Sequence, residues 1–407
     1  MADPFRARSA VVGIVADLRR DGPGWVLLTV SLGWFLTLGV RVVYPALLPQ
    51  VTAEFGVGNA TAGLFVGVLW TTYALLQFPG GVLADAVGER LVLAGSVVLT
   101  GGAVAAIVLS GTLELFVLAT VLLGLGTGLY GTTRLTVVSA VYDRMETTAI
   151  GVSQAAGNVG NVVLSAAAGL VSVYLGWRWG FGHLLPVLLL SAVGLWVAVP
   201  RHASAATDDE PFARTMRKVA RAVRTPRVLA VTVLLSLNMF LYQSVTGFLP
   251  TYLVAEKGVQ PGTAATLFSL FFAAAIGVQF LSGVVADRLG NRVAIAAFVG
   301  TSVPAFALLT VVESFPALVV VVILLSSLLG AMPPVNAAGV GALPPEIRGS
   351  GFGLLRTCYI AFGAVGPPTV GLLADAGRFD AAFLGLGAVA LAMSVWGLLF
   401  ERVGADG

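Results

Sequence analysis

The chain has 407 residues, of which 57% are hydrophobic and only 11% are charged. Because a soluble globular protein has about 25% charged residues, this composition excludes that class and indicates a membrane protein. The formal net charge of +3 does not indicate a nucleic-acid partner, since the basic residues lie between apolar segments, where membrane topology explains them better than a binding face does.

Residues 1–24 are predicted to form a retained cytoplasmic leader. Their apolar run, 10–16, is flanked by arginines but is too short to span a membrane, and no small-residue cleavage site follows it. The first membrane span is therefore expected after this leader.

Twelve apolar stretches follow, each long enough for the ~20 residues that a helix needs to cross a bilayer core. In chain order the predicted spans are 25–48, 61–83, 91–110, 115–141, 148–174, 181–199, 228–253, 264–285, 293–312, 316–341, 350–374 and 381–400. They form an N-terminal six-helix bundle, 25–199, and a C-terminal six-helix bundle, 228–400. The charged stretch 200–227 is predicted to be a cytoplasmic linker, and 401–407 a cytoplasmic tail. The sequence thus predicts an all-α membrane protein.

The basic residues also predict the topology, because short cytoplasmic loops carry an excess of Arg and Lys. Placing both termini in the cytoplasm leaves only Arg178, Lys257 and Arg378 on the outer side. We therefore expect a multi-pass protein of the cell membrane with both termini cytoplasmic and the lipid bilayer around its spans.

An internal repeat relates the two halves of the chain. The segment GVLADAVGER, 81–90, follows the second span, and GVVADRLGNR, 283–292, follows the eighth. A Leu-Pro pair near the end of the first span likewise recurs near the end of the seventh. Two homologous six-helix halves are therefore expected.

The repeated loop has the pattern Gly-x-x-x-Asp-x-x-Gly-x-Arg, in which Gly permits a tight turn and Asp caps a helix or pairs with Arg. It predicts a conformational latch whose residues are Gly81, Asp85, Gly88, Arg90, Gly283, Asp287, Gly290 and Arg292. The alternative is that these charges belong to a solvated cytoplasmic turn.

A chain that carries this loop in both halves resembles the major facilitator superfamily over nearly its whole length. The resemblance implies two pseudo-symmetric six-helix bundles, a central cavity lined by helices one, four, seven and ten, alternating access by rocking of the halves, and a monomer. Ala86 and Glu89 stand where the family loop usually has basic residues. Span five lacks the Gly-Pro pair that is common in drug/proton antiporters, which disfavours that branch.

Three arginines, Arg41, Arg134 and Arg356, fall within predicted spans. A charged side chain there costs roughly 2.5–3.5 kcal/mol on insertion scales, so such residues usually face a cavity. In members that resemble this chain, an Arg in helix one recurs among transporters of organic anions, and its planar fork matches a carboxylate. The alternatives are that Arg41 snorkels or bonds to backbone carbonyls, that Arg134 snorkels, and that Arg356 snorkels, pairs with Asp85 or caps cytoplasmic helix ends.

Aromatic and polar side chains at helical spacing complete the candidate cavity. Spans one, two and five carry such stripes, the last formed by Gln154, Asn158, Asn161 and Ser165. The alternative for these residues is hydrogen bonding between helices. The predicted substrate-binding set is Arg41, Arg134, Trp34, Tyr44, Tyr130, Asn158, Tyr242, Gln243, Asn336 and Arg356.

None of the twenty acidic residues falls in the middle of a predicted span, so no proton site and no partner for a cationic substrate is visible. The sequence predicts a secondary active or facilitative transporter of a small organic anion, without cofactor, metal or nucleic acid. The alternative within the same superfamily is an exporter of multiple drugs or hydrophobic compounds. An integral-membrane enzyme or sensor is disfavoured, because no catalytic motif is found.

Overall fold

A computed structural model describes residues 22–142, 145–201, 225–344 and 348–400. Nearly all of the predicted leader, most of the linker and the whole tail lie outside these residues. The division of the chain at this linker therefore stays a prediction.

The described residues fold into helices and contain no strand. The helices are α1 (Pro23–Phe55), α2 (Asn59–Leu75 and Gln77–Val87), α3 (Glu89–Val108), α4 (Leu113–Val141), α5 (Glu146–Leu175), α6 (Trp177–Gly182 and Leu185–Ala198), α7 (Pro226–Ala255), α8 (Pro261–Leu289), α9 (Asn291–Val311), α10 (Phe315–Leu325, the 3₁₀ turn Ser326–Ala331 and Met332–Gly341), α11 (Arg348–Gly363 and Gly366–Asp375) and α12 (Phe379–Leu399). Eleven of them are long and apolar enough to cross a membrane, and the two segments of α2, bent by 41°, form the twelfth span. The predicted all-α fold with twelve transmembrane helices is confirmed.

Four helices are interrupted, and proline explains where each new segment begins. The second segments of α2, α6 and α11 and the last segment of α10 each have a proline within their first three residues, namely Pro79, Pro186, Pro367 and Pro333. Proline lacks the N–H that a helix interior needs but is tolerated in the first turn, where no carbonyl partner is available. The breaks therefore follow from the local sequence.

The two halves of the molecule meet mainly along two helix pairs, α2 with α11 and α5 with α8. We call the end of the bundle that carries Asn59 and Asp375 the clamp end. Near it, the hydroxyl oxygens of Ser165 and Ser269 lie 2.7 Å apart across α5 and α8. At Gly63 an added Cβ would lie 2.5 Å from the carbonyl oxygen of Pro367, so α2 and α11 approach too closely for any side chain there. The halves are thus tightly packed at the clamp end.

The two repeated loops both lie at the opposite end, which we call the motif end, and their second glycines have nearly the same backbone conformation. Gly88 has φ 94° and Gly290 has φ 86°, a region that residues with a side chain rarely adopt. Gly81 and Gly283, by contrast, lie inside helices. The tight turn predicted from the motif is therefore made by its second glycine.

Each motif arginine anchors a carbonyl at the end of the sixth helix of its own half. The Arg90 Nε donates a hydrogen bond to the Val199 carbonyl, and the Arg292 Nη2 donates one to the Leu398 carbonyl. Cationic side chains are stabilising at helix C-termini, where carbonyls lack helical partners. The two hydrogen bonds occupy equivalent positions in the two halves, as the internal repeat of the sequence predicts.

Candidate functional site: a central cavity with three arginines

A cavity of about 460 Å³ lies between the two halves. Its wall is lined by side chains from both, and the polar and aromatic members are Trp34, Arg41, Trp70, Tyr73, Arg134, Gln154, Asn158, Asn161, Asn238, Tyr242, Phe272, Gln279, Asn336, Phe352, Arg356 and Tyr359. Its size falls within the range of roughly 300–1,000 Å³ that is typical of small-molecule sites.

The polar stripe of α5 shows the direction in which the cavity opens. From the motif end toward the clamp end, Gln154 is exposed, Asn158 is half-buried, Asn161 is 5% exposed and Ser165 is fully buried. Because these residues follow one helix face, the fall in exposure traces a path that narrows toward the clamp end. The cavity therefore opens toward the motif end.

Arg41 lies on α1 in an aromatic enclosure and is only 3% exposed. Its guanidinium carbon lies 4.0 Å from the centroid of the Tyr73 ring, and 5.2 Å and 5.6 Å from the rings of Trp70 and Trp34. Contact with aromatic faces stabilises a cation that has lost part of its hydration. The Nε donates a hydrogen bond of 3.2 Å to the Thr37 carbonyl, while Nη2 is buried without a partner.

Arg134 reaches the same enclosure from α4. Its guanidinium carbon lies 4.3 Å from the centroid of Trp34, so Trp34 contacts both Arg41 and Arg134. The two terminal nitrogens donate to the Ser153 hydroxyl at 2.9 Å and to the Gln154 amide oxygen at 3.2 Å. These partners are neutral, and the positive charge of Arg134 is not balanced by them.

Arg356 enters the cavity from α11, in the other half of the molecule. Its guanidinium and that of Arg41 both interact with the Tyr73 hydroxyl, and its charge repels that of Arg134. The alternative that Arg356 pairs with Asp85 does not agree with the structure, since Asp85 is exposed at the motif end and Arg356 lines the cavity. The structure thus brings the three intramembrane arginines into one site.

This site offers hydrogen-bond donors and positive charge without a matching acid. No Asp or Glu lines the cavity within the described part of the chain. Among the buried wall groups without partners, Nη2 of Arg41, Nε of Arg134, Nε of Arg356 and the indole nitrogen of Trp34 are donors, and Oδ1 of Asn161 is an acceptor. Since buried donors without partners are costly, the site favours a ligand that supplies acceptor atoms and negative charge.

Amide side chains complete the wall. Asn158 of α5 donates a hydrogen bond of 3.4 Å to Gln279 of α8 and so joins the two halves across the cavity. Asn336 lines the wall near the break in α10 and donates to the Met332 carbonyl at 2.9 Å. Tyr242 lines it next to Trp70, with ring centroids 5.8 Å apart.

Three of the predicted substrate-binding residues lie outside the cavity wall. The Tyr44 hydroxyl is 2.8 Å from that of Thr120 inside the N-terminal half. Tyr130 donates to the Val30 carbonyl at 2.8 Å and supports Trp34 from behind, with the two rings stacked. These two residues therefore belong to the packing of the helices around the site.

Gln243 is the third of these residues. It is fully buried, and its amide nitrogen donates to the Ile360 carbonyl at 3.0 Å, which joins α7 to α11. Like the two tyrosines, Gln243 lies outside the cavity wall, because its face of α7 meets a neighbouring helix, and its part in substrate binding stays a prediction.

The predicted substrate-binding set omitted several polar and aromatic wall residues, among them Gln279 and Tyr73. Gln279 is a single amide within the apolar sequence of α8, so it does not belong to a polar stripe. Its presence in the middle of a span was the one feature of the sequence that indicated a functional position. Tyr73 belongs to an aromatic stripe of α2, and only the structure shows its ring against Arg41.

The acids of the two motifs are exposed at the motif end. Among the residues that the structure describes, neither Asp85 nor Asp287 has a hydrogen bond or an ion pair to its side chain. The ion pair found in this part of the chain joins Arg178 and Glu54, at 2.5 Å. The bonds of Arg90 and Arg292 lie within one half each. The role of the motif as a latch between conformations stays a prediction.

Comparison with known proteins agrees with this architecture. A sequence model described as Major Facilitator Superfamily matches residues 29–291 and 237–406 of the chain. The chain belongs to the major facilitator superfamily. It is accordingly a membrane transporter, as the repeated loop and the twelve spans predicted.

Two curated relatives from this superfamily differ in what their names state. The chain is 27% identical over 383 residues to the "Cis,cis-muconate transport protein" of Acinetobacter baylyi, which covers 87% of this chain and 88% of that protein. It is 29% identical over 184 residues to the "Putative multidrug resistance protein MdtD" of Salmonella paratyphi B, which covers 45% of this chain and 39% of that protein.

Solved structures share the fold at low sequence identity. A bacterial homologue of the human lysosomal transporter Spinster matches with a TM-score of 0.74 and 18% identity, covering 94% of this chain and 98% of that one. The nucleoside transporter NupG matches with a TM-score of 0.79 and 14% identity, covering 93% and 99%. These likenesses establish the major facilitator fold for this chain.

Proposed function

We propose that this major facilitator transporter moves a small organic anion across the cell membrane, as a secondary active or facilitative carrier. The observation that carries the proposal is the meeting of Arg41, Arg134 and Arg356 in one cavity whose described wall contains no acid. An anion balances charges that the protein leaves unbalanced, and a guanidinium binds a carboxylate through two parallel hydrogen bonds. The name of the relative from Acinetobacter baylyi supports transport of an organic compound of this class.

The transport cycle proposed here is alternating access around this cavity. In the present conformation the cavity opens at the motif end and is sealed by the packing of α2 on α11 at the clamp end. Rocking of the two halves would break the clamp-end contacts and close the motif end. We take the motif end as cytoplasmic, with both termini on that side, because this orientation places most basic loop residues inside.

A carrier of this kind needs no bound cofactor and no catalytic residue, and we propose that it is not an enzyme and works as a monomer. Its affinity for the substrate follows from charge and shape in the cavity. Binding would draw the arginines of the N-terminal half and Arg356 of the C-terminal half toward one ligand, which couples occupancy to the position of the halves.

A second candidate function is export of hydrophobic or multiple drugs. Two observations favour it: the similarity to the multidrug resistance protein over part of the chain, and the aromatic lining formed by Trp70, Tyr242 and Phe272. The unbalanced positive charge weighs against cationic drugs, because bringing a cation near three guanidinium groups is repulsive.

The test is thermal unfolding of the purified full-length protein in detergent, with a panel of carboxylates, sugar acids, phosphate esters and lipophilic cations. A ligand that binds the folded state raises the unfolding midpoint by mass action. We expect a rise with one class of anion that is lost in Arg41→Gln and kept in the control Arg378→Gln, which changes an exposed arginine. A rise with lipophilic cations alone, unchanged by Arg41→Gln, would reject the anion carrier in favour of the drug exporter.

A further inference from the structure

We propose that the transported anion has one acidic group and a body that bears hydroxyl groups, as hydroxy acids and sugar acids do. The acidic group binds among the three arginines, and the hydroxyl groups bind amide side chains in the rest of the cavity wall. This inference rests on the proposed function and narrows its substrate class.

The three guanidinium groups converge on one place in the cavity. The Trp34 ring is contacted by both Arg41 and Arg134, and the Tyr73 hydroxyl interacts with both Arg41 and Arg356. Because Arg41 takes part in both contacts, the three positive charges form a single centre. One acidic group therefore meets all three arginines, and the body of the ligand meets the remaining wall.

Uncharged amide side chains provide much of that remaining wall. The arginines come from α1, α4 and α11, whereas the amides come from α5, α7, α8 and α10. These amide residues are Gln154, Asn158, Asn161, Asn238, Gln279 and Asn336. An amide side chain both donates and accepts hydrogen bonds, and so does a hydroxyl group. The wall beyond the arginines is therefore complementary to a hydroxylated body.

Helix α5 brings two of these amides next to the arginine centre. Its Gly157 packs against the ring of Trp34, and its Gly160 packs against the backbone of α1, both so closely that an added side chain would clash. Asn158 and Asn161 are the residues that directly follow these two glycines. They therefore lie close to the level of Trp34, whose ring contacts two of the guanidinium groups. A small ligand anchored by its acidic group reaches both amides.

Asn161 is the amide that most directly indicates a hydrogen-bonding ligand. It lines the cavity and is only 5% exposed, and its Oδ1 is buried without a partner. A buried polar atom without a partner is costly, and a ligand hydroxyl that donates to this oxygen removes the cost. A hydrocarbon body leaves the oxygen unpaired. Asn161 thus has the properties of a residue that determines specificity.

A second point of contact lies between the two halves of the molecule. The Nδ2 of Asn158 donates to the Oε1 of Gln279 at 3.4 Å, which is longer than the usual range of about 2.7–3.2 Å. Both side chains are half-buried and line the cavity. A ligand hydroxyl placed beside them replaces a weak bond with stronger ones. Because α5 and α8 belong to different halves, the body of the ligand then contacts both halves, as its acidic group does.

The experiment is isothermal titration calorimetry of the full-length protein in detergent with matched acids. Each pair shares a carbon skeleton and one carboxylate and differs only in hydroxyl groups: lactate with propionate, threonate with butyrate, gluconate with hexanoate, and quinate with cyclohexanecarboxylate. We expect at least one hydroxylated acid to bind about tenfold or more tightly than its partner, because a site built to bind a hydroxyl group discriminates against the analogue that lacks it.

The variants separate recognition of the acidic group from recognition of the body. Asn161→Leu removes the amide at nearly constant volume and should reduce the ratio of the two affinities toward one. Arg41→Gln should weaken both members of a pair and keep most of the ratio. Gln260→Leu, at an exposed amide that makes no capping bond, is the control and should change neither. If Asn161→Leu is not monodisperse on size exclusion, Asn161→Ala replaces it with the same expected result.

The outcomes distinguish this inference from the proposed function. Hydroxylated acids that bind no more tightly than their partners would overturn the hydroxylated substrate and leave the anion carrier standing. A ratio that persists in the folded Asn161 variant would overturn it as well. Failure of every acid to bind, with lipophilic cations binding instead, would overturn the proposed function itself.

Discussion

The carboxylate of Asp375, the last residue of α11, accepts a hydrogen bond of 2.7 Å from the backbone N–H of Asn59, the first residue of α2. It accepts a second, of 2.8 Å, from the N–H of Ala60. These N–H groups have no partner within α2, and a negative charge at a helix N-terminus is stabilising. Because α2 and α11 belong to different halves, this contact clamps the halves together at the end where the cavity is sealed.

Asp375→Asn should favour the conformation that is open at the clamp end, because it removes a charge worth about 1 kcal/mol at a helix N-terminus. The readout is the rate at which a membrane-impermeant maleimide labels Val66→Cys, a buried position on α2 that faces Gly247, in a Cys358→Ser background. We expect labelling to be several-fold faster. Glu313→Gln, at an exposed acid, is the control, and equal rates in both variants would contradict the clamp.

Trp34→Leu should weaken anion binding by about tenfold, because the ring contacts two guanidinium groups and each such contact contributes about 0.5–2 kcal/mol. Trp34→Phe keeps an aromatic face and should lose much less. Binding is measured by calorimetry with the best ligand of the thermal screen. The control is Trp25→Leu, at an exposed tryptophan of the same helix. A phenylalanine variant as weak as the leucine variant would show that the aromatic face is not what supports the arginines.

Gly290→Ala and Gly283→Ala form a matched pair within one motif. An added Cβ meets no atom within 4 Å at either position, so only the backbone differs: Gly290 has φ 86° and Gly283 is helical. Gly290→Ala should cost about 1–3 kcal/mol and lower the unfolding midpoint. Gly283→Ala should leave it unchanged or raise it, since alanine favours a helix by about 0.5–1 kcal/mol. The opposite order would reject the assignment of the turn to the second glycine.

Arg90→Gln should lower the unfolding midpoint, because it removes a charge-assisted hydrogen bond to the Val199 carbonyl worth about 1 kcal/mol at a half-buried site. If its role is to anchor α3 to α6 within one half, the rate of Val66→Cys labelling will not change. A changed labelling rate without loss of stability would instead support the predicted latch between conformations. Arg288→Gln, at an exposed arginine of the second motif, is the control.

The polar stripe of α5 shows what could be predicted about the site. Amides at helical spacing in an apolar span can be recognised from the sequence alone, and the structure places Gln154, Asn158 and Asn161 in the cavity wall. Tyr44 and Tyr130 were also in the predicted substrate-binding set, yet both hydroxyls bond within the N-terminal half. Periodicity identifies a shared face but not what that face meets.

The sequence by itself determined the membrane class, the twelve spans, the repeat of the halves and the three buried arginines. These features are local: a bilayer requires an apolar run of helical length, and a charge inside such a run is exceptional. Only the tertiary structure decided that Arg41, Arg134 and Arg356 meet in one cavity, that Trp34 contacts two of them, and that Asp375 binds the start of α2. Those contacts join residues far apart in the chain, and they depend on the rotation and packing of whole helices, which no local pattern encodes.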